Sequence, residues 1–349
     1  MKFKKILPWV FASTMLFNIA CSDDDPIFEE PKGAYENGIL IANEGGFSTP
    51  TATVTFLSND FSVQENDIYG KNNSDEKLGN VFQSVGFKGD NAFLVMNVPN
   101  KIEVVNRYTF KKSAATITSN LDNPRYIAFS GNNTYVTNNN FYSVMKLNVY
   151  DANNAFVKSI DFDRYAEKVV ASDGFVYVQT DGVTYDASYN ELPTGHTITR
   201  INPVTNVADA PITLTDTAVI RDMVANETMV YVLTSDATNT YLYKILSKTG
   251  TFEKVTLSGV TNAKKLAIDN NKIYFLTAAN KVYTMNGNTA APMFDFTASY
   301  AYAFNVINGN VYIGDASFSA DSTVKVYNAT GSELKTIKTG IGTNGFYKN

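Results

Sequence analysis

The sequence predicts an all-β fold, a seven-bladed β-propeller whose C-terminal strand closes the first blade. One short strand phrase recurs seven times, a second alternating strand follows each copy, and the last residues of the chain resemble a strand with no partner after it. The composition agrees with this, because 44% of the 349 residues are hydrophobic and the aromatic side chains are mostly Tyr (21) and Phe (23), which suit pleated strands.

The repeated phrase is a Tyr or Leu flanked mainly by Val or Ile. Its central residues are Leu40, Leu94, Tyr135, Tyr177, Tyr231, Tyr274 and Tyr312. Successive copies lie 38 to 54 residues apart. A propeller blade of four strands needs about 40–50 residues. We therefore assign one blade to each copy and place the propeller at residues 37–349.

The two ends of the chain are predicted to share the first blade. Six copies are preceded by a further strand, but the copy at Leu40 is not, and residues 340–347 (GIGTNGFY) resemble the missing one. A shared blade adds backbone hydrogen bonds across the seam of the ring, whereas two abutting blades would be held only by side chains.

The N-terminus predicts export and a lipid anchor. Residues 1–20 combine Lys2, Lys4 and Lys5 with an apolar run that Pro8 interrupts, which indicates a signal peptide and not a membrane span. Residues 16–21 (LFNIAC) resemble a bacterial lipobox, and this resemblance implies acylation of Cys21. The alternative is an ordinary secretory signal with an incidental cysteine.

The residues after Cys21 indicate where the protein resides. Residues 22–25 (SDDD) resemble the acidic tract that directs lipoproteins to the outer face of the outer membrane in one group of Gram-negative bacteria. The alternative interpretation of these residues is a solvated tether, and the two interpretations are compatible. Residues 21–36 are thus interpreted as a lipidated cysteine and linker, and the protein as an outer-membrane lipoprotein at the cell surface, with the periplasmic leaflet left open.

Charge and rare residues exclude several functions. The net charge is −5, and removal of the signal peptide with its three lysines leaves 26 basic against 34 acidic groups, or −8, so no basic stripe for nucleic acid is present. With Cys21 as the only cysteine, no intrachain disulfide and no thiolate zinc site can form. His196 is the only histidine, which disfavours a catalytic triad. We predict no catalytic residue and no cofactor.

Residues 135–138 (YVTN) match the signature of the YVTN-repeat β-propeller family, and the resemblance extends over about residues 37–349. Residues 38–45 (GILIANEG) and 78–84 (LGNVFQS) resemble a lipoprotein branch of that family. The branch includes surface proteins that capture corrinoids for an outer-membrane transporter. The resemblance implies a binding protein, with such a transporter as its expected partner.

In a propeller, the connections that precede each innermost strand and those between the second and third strands gather on one face around the central channel. In this sequence they are rich in amides and aromatic residues, which suit a large neutral ligand with a polar rim. Turn chemistry is the alternative reason for about half of the amides, and a calcium ion on this face is left open. The predicted ligand-binding residues are Asn43, Glu44, Phe47, Asn80, Gln83, Asn97, Asn138, Asn139, Phe141 and Tyr142.

Residues 180–197 enlarge the fourth blade and carry Tyr185, Tyr189 and His196. The insertion is longer than ordinary hairpin loops, and a surface excursion is favoured over a ligand flap.

The leading functional hypothesis is a surface lipoprotein that binds a small molecule or a glycan-like ligand and passes it to a transporter. A structural or adhesive surface-layer protein that binds a protein partner is the second hypothesis. A lyase or lactone hydrolase is the third hypothesis. Propellers of those classes depend on histidines or metal ligands, which this chain mostly lacks. Membrane contact is expected through the lipid anchor only.

Overall fold

The computed structural model describes residues 31–349, which form 30 β-strands and one helix of five residues. The helix, α1 (Ile68–Asn72), lies between the first and second blades. The strands of the first three blades are β1 (Gly38–Asn43), β2 (Thr53–Ser58), β3 (Gln64–Glu65), β4 (Val81–Lys88), β5 (Asn91–Val98), β6 (Lys101–Asn106), β7 (Pro124–Ser130), β8 (Asn133–Asn139), β9 (Met145–Tyr150) and β10 (Phe156–Asp161).

The fourth blade includes an inserted hairpin. Its strands, with those of the hairpin, are β11 (Val169–Ser172), β12 (Phe175–Gln179), β13 (Val183–Tyr185), β14 (Glu191–Pro193), β15 (Thr197–Asn202), β16 (Val207–Ala208) and β17 (Ile212–Thr213). The remaining strands are β18 (Val219–Ala225), β19 (Met229–Ser235), β20 (Thr240–Leu246), β21 (Phe252–Thr256), β22 (Ala263–Asp269), β23 (Lys272–Thr277), β24 (Lys281–Asn286), β25 (Thr289–Asp295), β26 (Ala301–Ile307), β27 (Asn310–Asp315), β28 (Asp321–Tyr327), β29 (Glu333–Ile341) and β30 (Thr343–Lys348).

Apart from the separate hairpin of β13 and β14, these strands form seven antiparallel sheets arranged as a β-propeller, as the sequence predicts. The innermost strands are β4, β7, β11, β18, β22, β26 and β30, and each packs against the next around the ring. Two blades are irregular. The second has three strands, and single bridges from Ile117 to Ile102 and from Lys112 to Val105 cover its edge. In the fourth blade, β15 pairs with both β16 and β17.

The first blade is closed by the C-terminal strand, which confirms the predicted shared blade. Strand β30 pairs antiparallel with β1, with Leu40 opposite Tyr347, and the hydroxyl of Thr343 donates to Asn43 Oδ1 at 2.7 Å. The predicted start of this strand, at residue 340, was three residues too early. Gly340 and Ile341 belong to β29, and Gly342, with φ of +66°, makes the turn between the two strands.

The core lies between neighbouring blades, because strand side chains alternate between two buried faces. In β1, Leu40 and Ala42 pack against the second blade, whereas Ile39 and Ile41 pack against the seventh. All six residues of β1 are buried. Burial on both faces explains why the repeated phrase is continuously apolar instead of alternating with polar residues.

Tyr35, at the end of the predicted linker, packs onto the propeller. It is 3% exposed, and its ring makes edge contacts with Phe56 and Phe110 at centroid distances of 5.2 and 6.0 Å. The predicted signal peptide, Cys21 and the first part of the linker lie outside the described residues. Within residues 31–349, no helix is long and apolar enough to cross a membrane.

Candidate functional site

Each innermost strand begins at one mouth of the central channel, and six of the seven have a break in pairing register near this start. A β-bulge of this kind adds one residue to the strand and redirects its side chain. The residues at these positions are polar or charged in every case. They are Gln83, Arg125, Arg221, Lys264, Tyr302 and Asn344.

Below the mouth, the innermost strands of six blades line a cavity of about 260 Å³, and the fourth blade contributes Lys168, immediately before β11. Its charged residues are Lys168, Asp222 and Lys265. Asp222 forms an ion pair with Lys168 and also accepts from the backbone N–H of Leu266 at 2.9 Å. Burial lowers the pKa of Lys168, but the Asp222 carboxylate and the neighbouring Tyr126 together outweigh burial, and the pKa is raised overall.

Lys265 differs from Lys168 in lacking a counter-ion. No carboxylate of the described residues lies within ion-pair distance of its ammonium, which instead lies 5.1 Å from the ring centre of Tyr302. Burial lowers the pKa of Lys265, the charge of Lys168 adds to this, and Asp222 and Glu44 oppose it. Lys265 lines both the central cavity and a second cavity above it.

The second cavity, of about 400 Å³, lies under the inserted hairpin, which we call the flap (residues 183–193). The flap reaches across the face to the fifth and sixth blades. The carboxylate of Glu191, on the flap, accepts from Arg221 Nη1 at 2.6 Å and Lys264 Nζ at 2.8 Å. Tyr185, Tyr300 and Tyr302 complete the aromatic part of the lining.

The base of the flap is held by a buried carboxylate, Asp181, whose side chain is fully buried. One of its oxygens accepts from the backbone N–H and the hydroxyl of Thr197, at 3.0 and 2.9 Å, and the other accepts from the hydroxyl of Thr194 at 3.1 Å. Arg164 lies 3.2 Å away as a counter-ion. The flap thus extends from a fixed base over the cavity that it lines, and its role as a ligand flap stays a prediction.

The exposed aromatic side chains are all on this face. Among residues 31–349, every exposed Phe or Tyr belongs to a connection that precedes an innermost strand or joins the second and third strands of a blade. These residues, which we call the aromatic face, are Phe47, Phe141, Tyr142, Tyr185, Tyr189, Tyr300 and Phe318. Tyr302 connects this face to the channel, since its ring stacks on Tyr300 at 5.4 Å and contacts Phe318 at 5.5 Å.

Three predicted residues, Gln83, Asn139 and Glu44, form hydrogen bonds at the channel mouth. Gln83 Oε1 accepts from Arg125 Nη1 at 2.7 Å, and Arg125 Nε donates to Glu167 at 3.0 Å. The other oxygen of Glu167 accepts from Asn139 Nδ2 at 2.8 Å. The phenol of Tyr302 donates to Glu44 at 3.2 Å, and burial raises the pKa of that carboxyl.

The predicted amides, Asn139 among them, are engaged within the protein. Asn43, Asn138 and Asn139 are fully buried, and Asn97 is 9% exposed. Asn43 donates to two threonines, and Asn138 accepts from the backbone N–H of Asp122 at 2.9 Å. These amides support the loops, and direct contact with a ligand would require the loops to open. Their ligand-binding role remains a prediction.

The exposed predicted residues belong to two loops. Phe47 and Tyr142 are 77% and 91% exposed, and Asn80 donates to the backbone carbonyl of Phe47 at 2.8 Å. Phe141 is 40% exposed and lies between Arg125 and Tyr165, with ring-centre distances of 5.2 and 5.6 Å. Phe141 has φ of +66°, held by a hydrogen bond from its N–H to Asn139 Oδ1.

The sequence analysis missed the charged residues of the channel mouth. These are Arg125, Glu167, Lys168, Arg221, Asp222, Lys264 and Lys265. A signal was present, because one or two charged residues open four of the strands predicted before the repeated phrase, residues 125–130, 168–172, 221–225 and 264–268, which are otherwise largely apolar. Charge at such a position indicates a side chain that faces a cavity.

His196 is half-buried, and its Nε2 is a buried atom without a hydrogen-bond partner. In the described part of the chain, no group of three or more His, Cys, Asp or Glu side chains is placed to hold a metal ion.

The family described as Domain of unknown function (DUF5074) matches residues 37–161. No curated protein matches the sequence. A quinonprotein alcohol dehydrogenase-like protein from Bacteroides thetaiotaomicron is 15% identical and has a TM-score of 0.66, with 90% of this chain and 78% of the other covered.

Two further solved structures are similar. A functionally unknown protein from Desulfotomaculum acetoxidans is 11% identical with a TM-score of 0.62, covering 90% of this chain and 99% of the other. BamB from Moraxella catarrhalis is 14% identical with a TM-score of 0.53, covering 90% and 86%. At these identities the similarities establish the β-propeller fold alone.

Proposed function

We propose that this protein is a lipid-anchored protein of the outer-membrane surface that binds a small molecule or a glycan-like ligand at the mouth of its central channel. The observation that carries the proposal is the aromatic face, since every exposed aromatic side chain of the described residues lies around that mouth. Exposed aromatic clusters beside cavities are typical of binding sites and unusual elsewhere on a soluble surface.

The chemistry of the face suits a ligand with both apolar and polar surface. Tyr300 and Tyr185 are 53% and 58% exposed and offer flat apolar area, while Arg221 and Lys264 offer hydrogen-bond donors. The flap covers the cavity from above, which would shield a bound ligand from bulk water. Because most of the charged groups of the channel mouth already pair with one another, and among those that the structure describes Lys265 alone lacks a counter-ion, we propose capture of a ligand and not its chemical conversion.

The lipid anchor would keep this binding site close to the membrane. A propeller tethered through Cys21 stays within a linker's length of the membrane, which raises its effective concentration there. The resemblance to the YVTN-repeat lipoproteins supports delivery of the ligand, corrinoid-like or otherwise, to an outer-membrane transporter.

A thermal-shift screen of vitamins, cofactors and saccharides tests the proposal, because a ligand that binds the native state raises its apparent stability. Affinity for the best compound is then measured by calorimetry for Phe141→Ala, Tyr300→Ala and Asn139→Ala. Loss of an aromatic anchor should cost about 2 kcal/mol of binding energy, or about 30-fold in affinity, and loss of the amide less.

The control is Asn328→Ala, in the turn between β28 and β29 on the opposite face. Equal affinity in all four variants would place the site elsewhere. A screen without any stabilising compound would contradict the function.

A further inference from the structure

The cavity beneath the flap has an excess of positive charge. Its charged lining residues are Arg221, Lys264, Lys265 and Glu191. Glu191 pairs with both Arg221 and Lys264, and so offsets one of three cations. Two positive charges therefore remain in the cavity, although the chain has a net charge of −5.

Two neighbouring carboxylates, Asp222 and Glu44, act on Lys265 only from beyond ion-pair distance. Asp222 is bound to Lys168, and Glu44 accepts from the phenol of Tyr302. Lys265 is left with only the ring of Tyr302 near its ammonium. A cation held in a confined cavity without a counter-ion is unfavourable, and a bound anion would offset that cost.

Two further features of the cavity indicate which other groups the ligand carries. Thr277 lines the same cavity and is 3% exposed, yet its hydroxyl oxygen has no hydrogen-bond partner. Buried polar atoms are nearly always satisfied, and this oxygen is itself closed to solvent, so a hydroxyl or N–H group of a ligand would become its partner after a small movement of the Thr277 side chain. The stacked rings of Tyr300 and Tyr302 offer a flat surface on which a ligand ring can lie.

We propose that the flap cavity binds an acidic saccharide, with its carboxylate or sulfate on the ammonium of Lys265, a hydroxyl on Thr277 and a sugar ring against Tyr300. The cavity volume of about 400 Å³ falls in the usual range of small-molecule sites. This inference rests on the proposed function and specifies its ligand class.

The test uses three probes in calorimetric titrations of the purified protein. They are digalacturonate, its methyl diester, which has the same rings without charge, and galactose 6-sulfate. The variants are Lys265→Met, Lys265→Arg and the control Lys272→Met, which lies at the opposite end of the sixth blade at the start of β23.

We expect the acid to bind at least about tenfold more tightly than its ester, as a charge-assisted hydrogen bond requires. Lys265→Met should abolish that difference by weakening the acid alone, whereas Lys265→Arg and Lys272→Met should retain it. Binding of the sulfate in preference to the carboxylate supports the proposal and identifies the anion.

Equal affinities for the acid and its methyl ester would refute the proposal that the ligand is negatively charged. If Tyr300→Ala weakens both equally, ligand capture on this face is upheld while the acidic class is refuted. Failure of every saccharide to bind refutes the ligand class, and the compound screen described above then decides the proposed function independently.

Discussion

The closing strand β30 provides a quantitative test of how the ring is held together. Phe346 is 2% exposed and packs with Ile39, Ile41 and Tyr312, so its ring joins the first and seventh blades. Phe346→Ala would remove this contact and leave a cavity. Substitutions of this kind cost about 3–5 kcal/mol.

The expected change in melting temperature follows from the size of the domain. An unfolding entropy of about 2.1 cal/mol/K per residue over about 320 residues amounts to about 0.7 kcal/mol/K. The Phe346→Ala variant should therefore melt about 4–7 °C below the parent. Differential scanning calorimetry without ligand measures this directly.

The matched control is Phe47→Ala, the same substitution at a side chain that is 77% exposed. A surface change of this type should alter the free energy of unfolding by less than about 0.5 kcal/mol, or about 1 °C. If the two variants melt within about one degree of each other, β30 does not hold the ring closed and the reasoning fails.

Five other predictions concern the channel, the flap, the anchor and the pH dependence of binding. Burial lowers the pKa of Lys265, so the folded state disfavours its charged form, and Lys265→Met should raise the melting temperature at pH 7 by about 1–3 °C; a lower melting temperature would contradict this. Asp222→Ala leaves the ammonium of Lys168 without its partner and should cost about 3–5 kcal/mol in denaturant unfolding, largely recovered when Lys168→Met is added. Asp181→Ala should release the flap, so that a protease cuts within residues 183–193 much faster while the propeller still unfolds in one transition. An unchanged rate of cleavage would show that Asp181 does not hold the flap in place. Cys21→Ser should leave the protein soluble or unprocessed on membrane fractionation, and unchanged membrane association would refute the lipid anchor.

The affinity for an acidic ligand should depend on pH through Lys265. Burial lowers the pKa of Lys265 below the ordinary 10.5, so its ammonium loses its proton at a lower pH than the ammonium of a solvated lysine does. The acidic ligand then loses the positive charge with which it pairs. The facing groups are Lys168, Asp222, Glu44 and Tyr302. Titration of the acid and its methyl ester across alkaline pH measures the effect, and a parallel loss of both would contradict it.

The sequence by itself determined the architecture. Each blade buries both faces of its second strand, so the phrase around Leu40 or Tyr177 has to be apolar, and its recurrence reports the number of blades directly. The C-terminal strand was recognisable because it resembles the strands that precede the other copies of the phrase and has no partner after it. The turn at Gly342 places its start later than expected. The face that carries the loops also followed from strand order, because alternate connections of an antiparallel sheet lie at the same end.

Only the tertiary structure decided which side chains occupy the channel mouth. The bulges that redirect Arg221 and Lys264 depend on pairing with neighbouring strands, and Glu191 meets Lys264 across 73 residues of sequence. A turn-like amide such as Asn138 is buried because the adjacent connection folds over it, which its local pattern does not indicate. Local periodicity specifies strands and their number, whereas cavities and ion pairs arise where separate blades meet, at distances that no sequence spacing records.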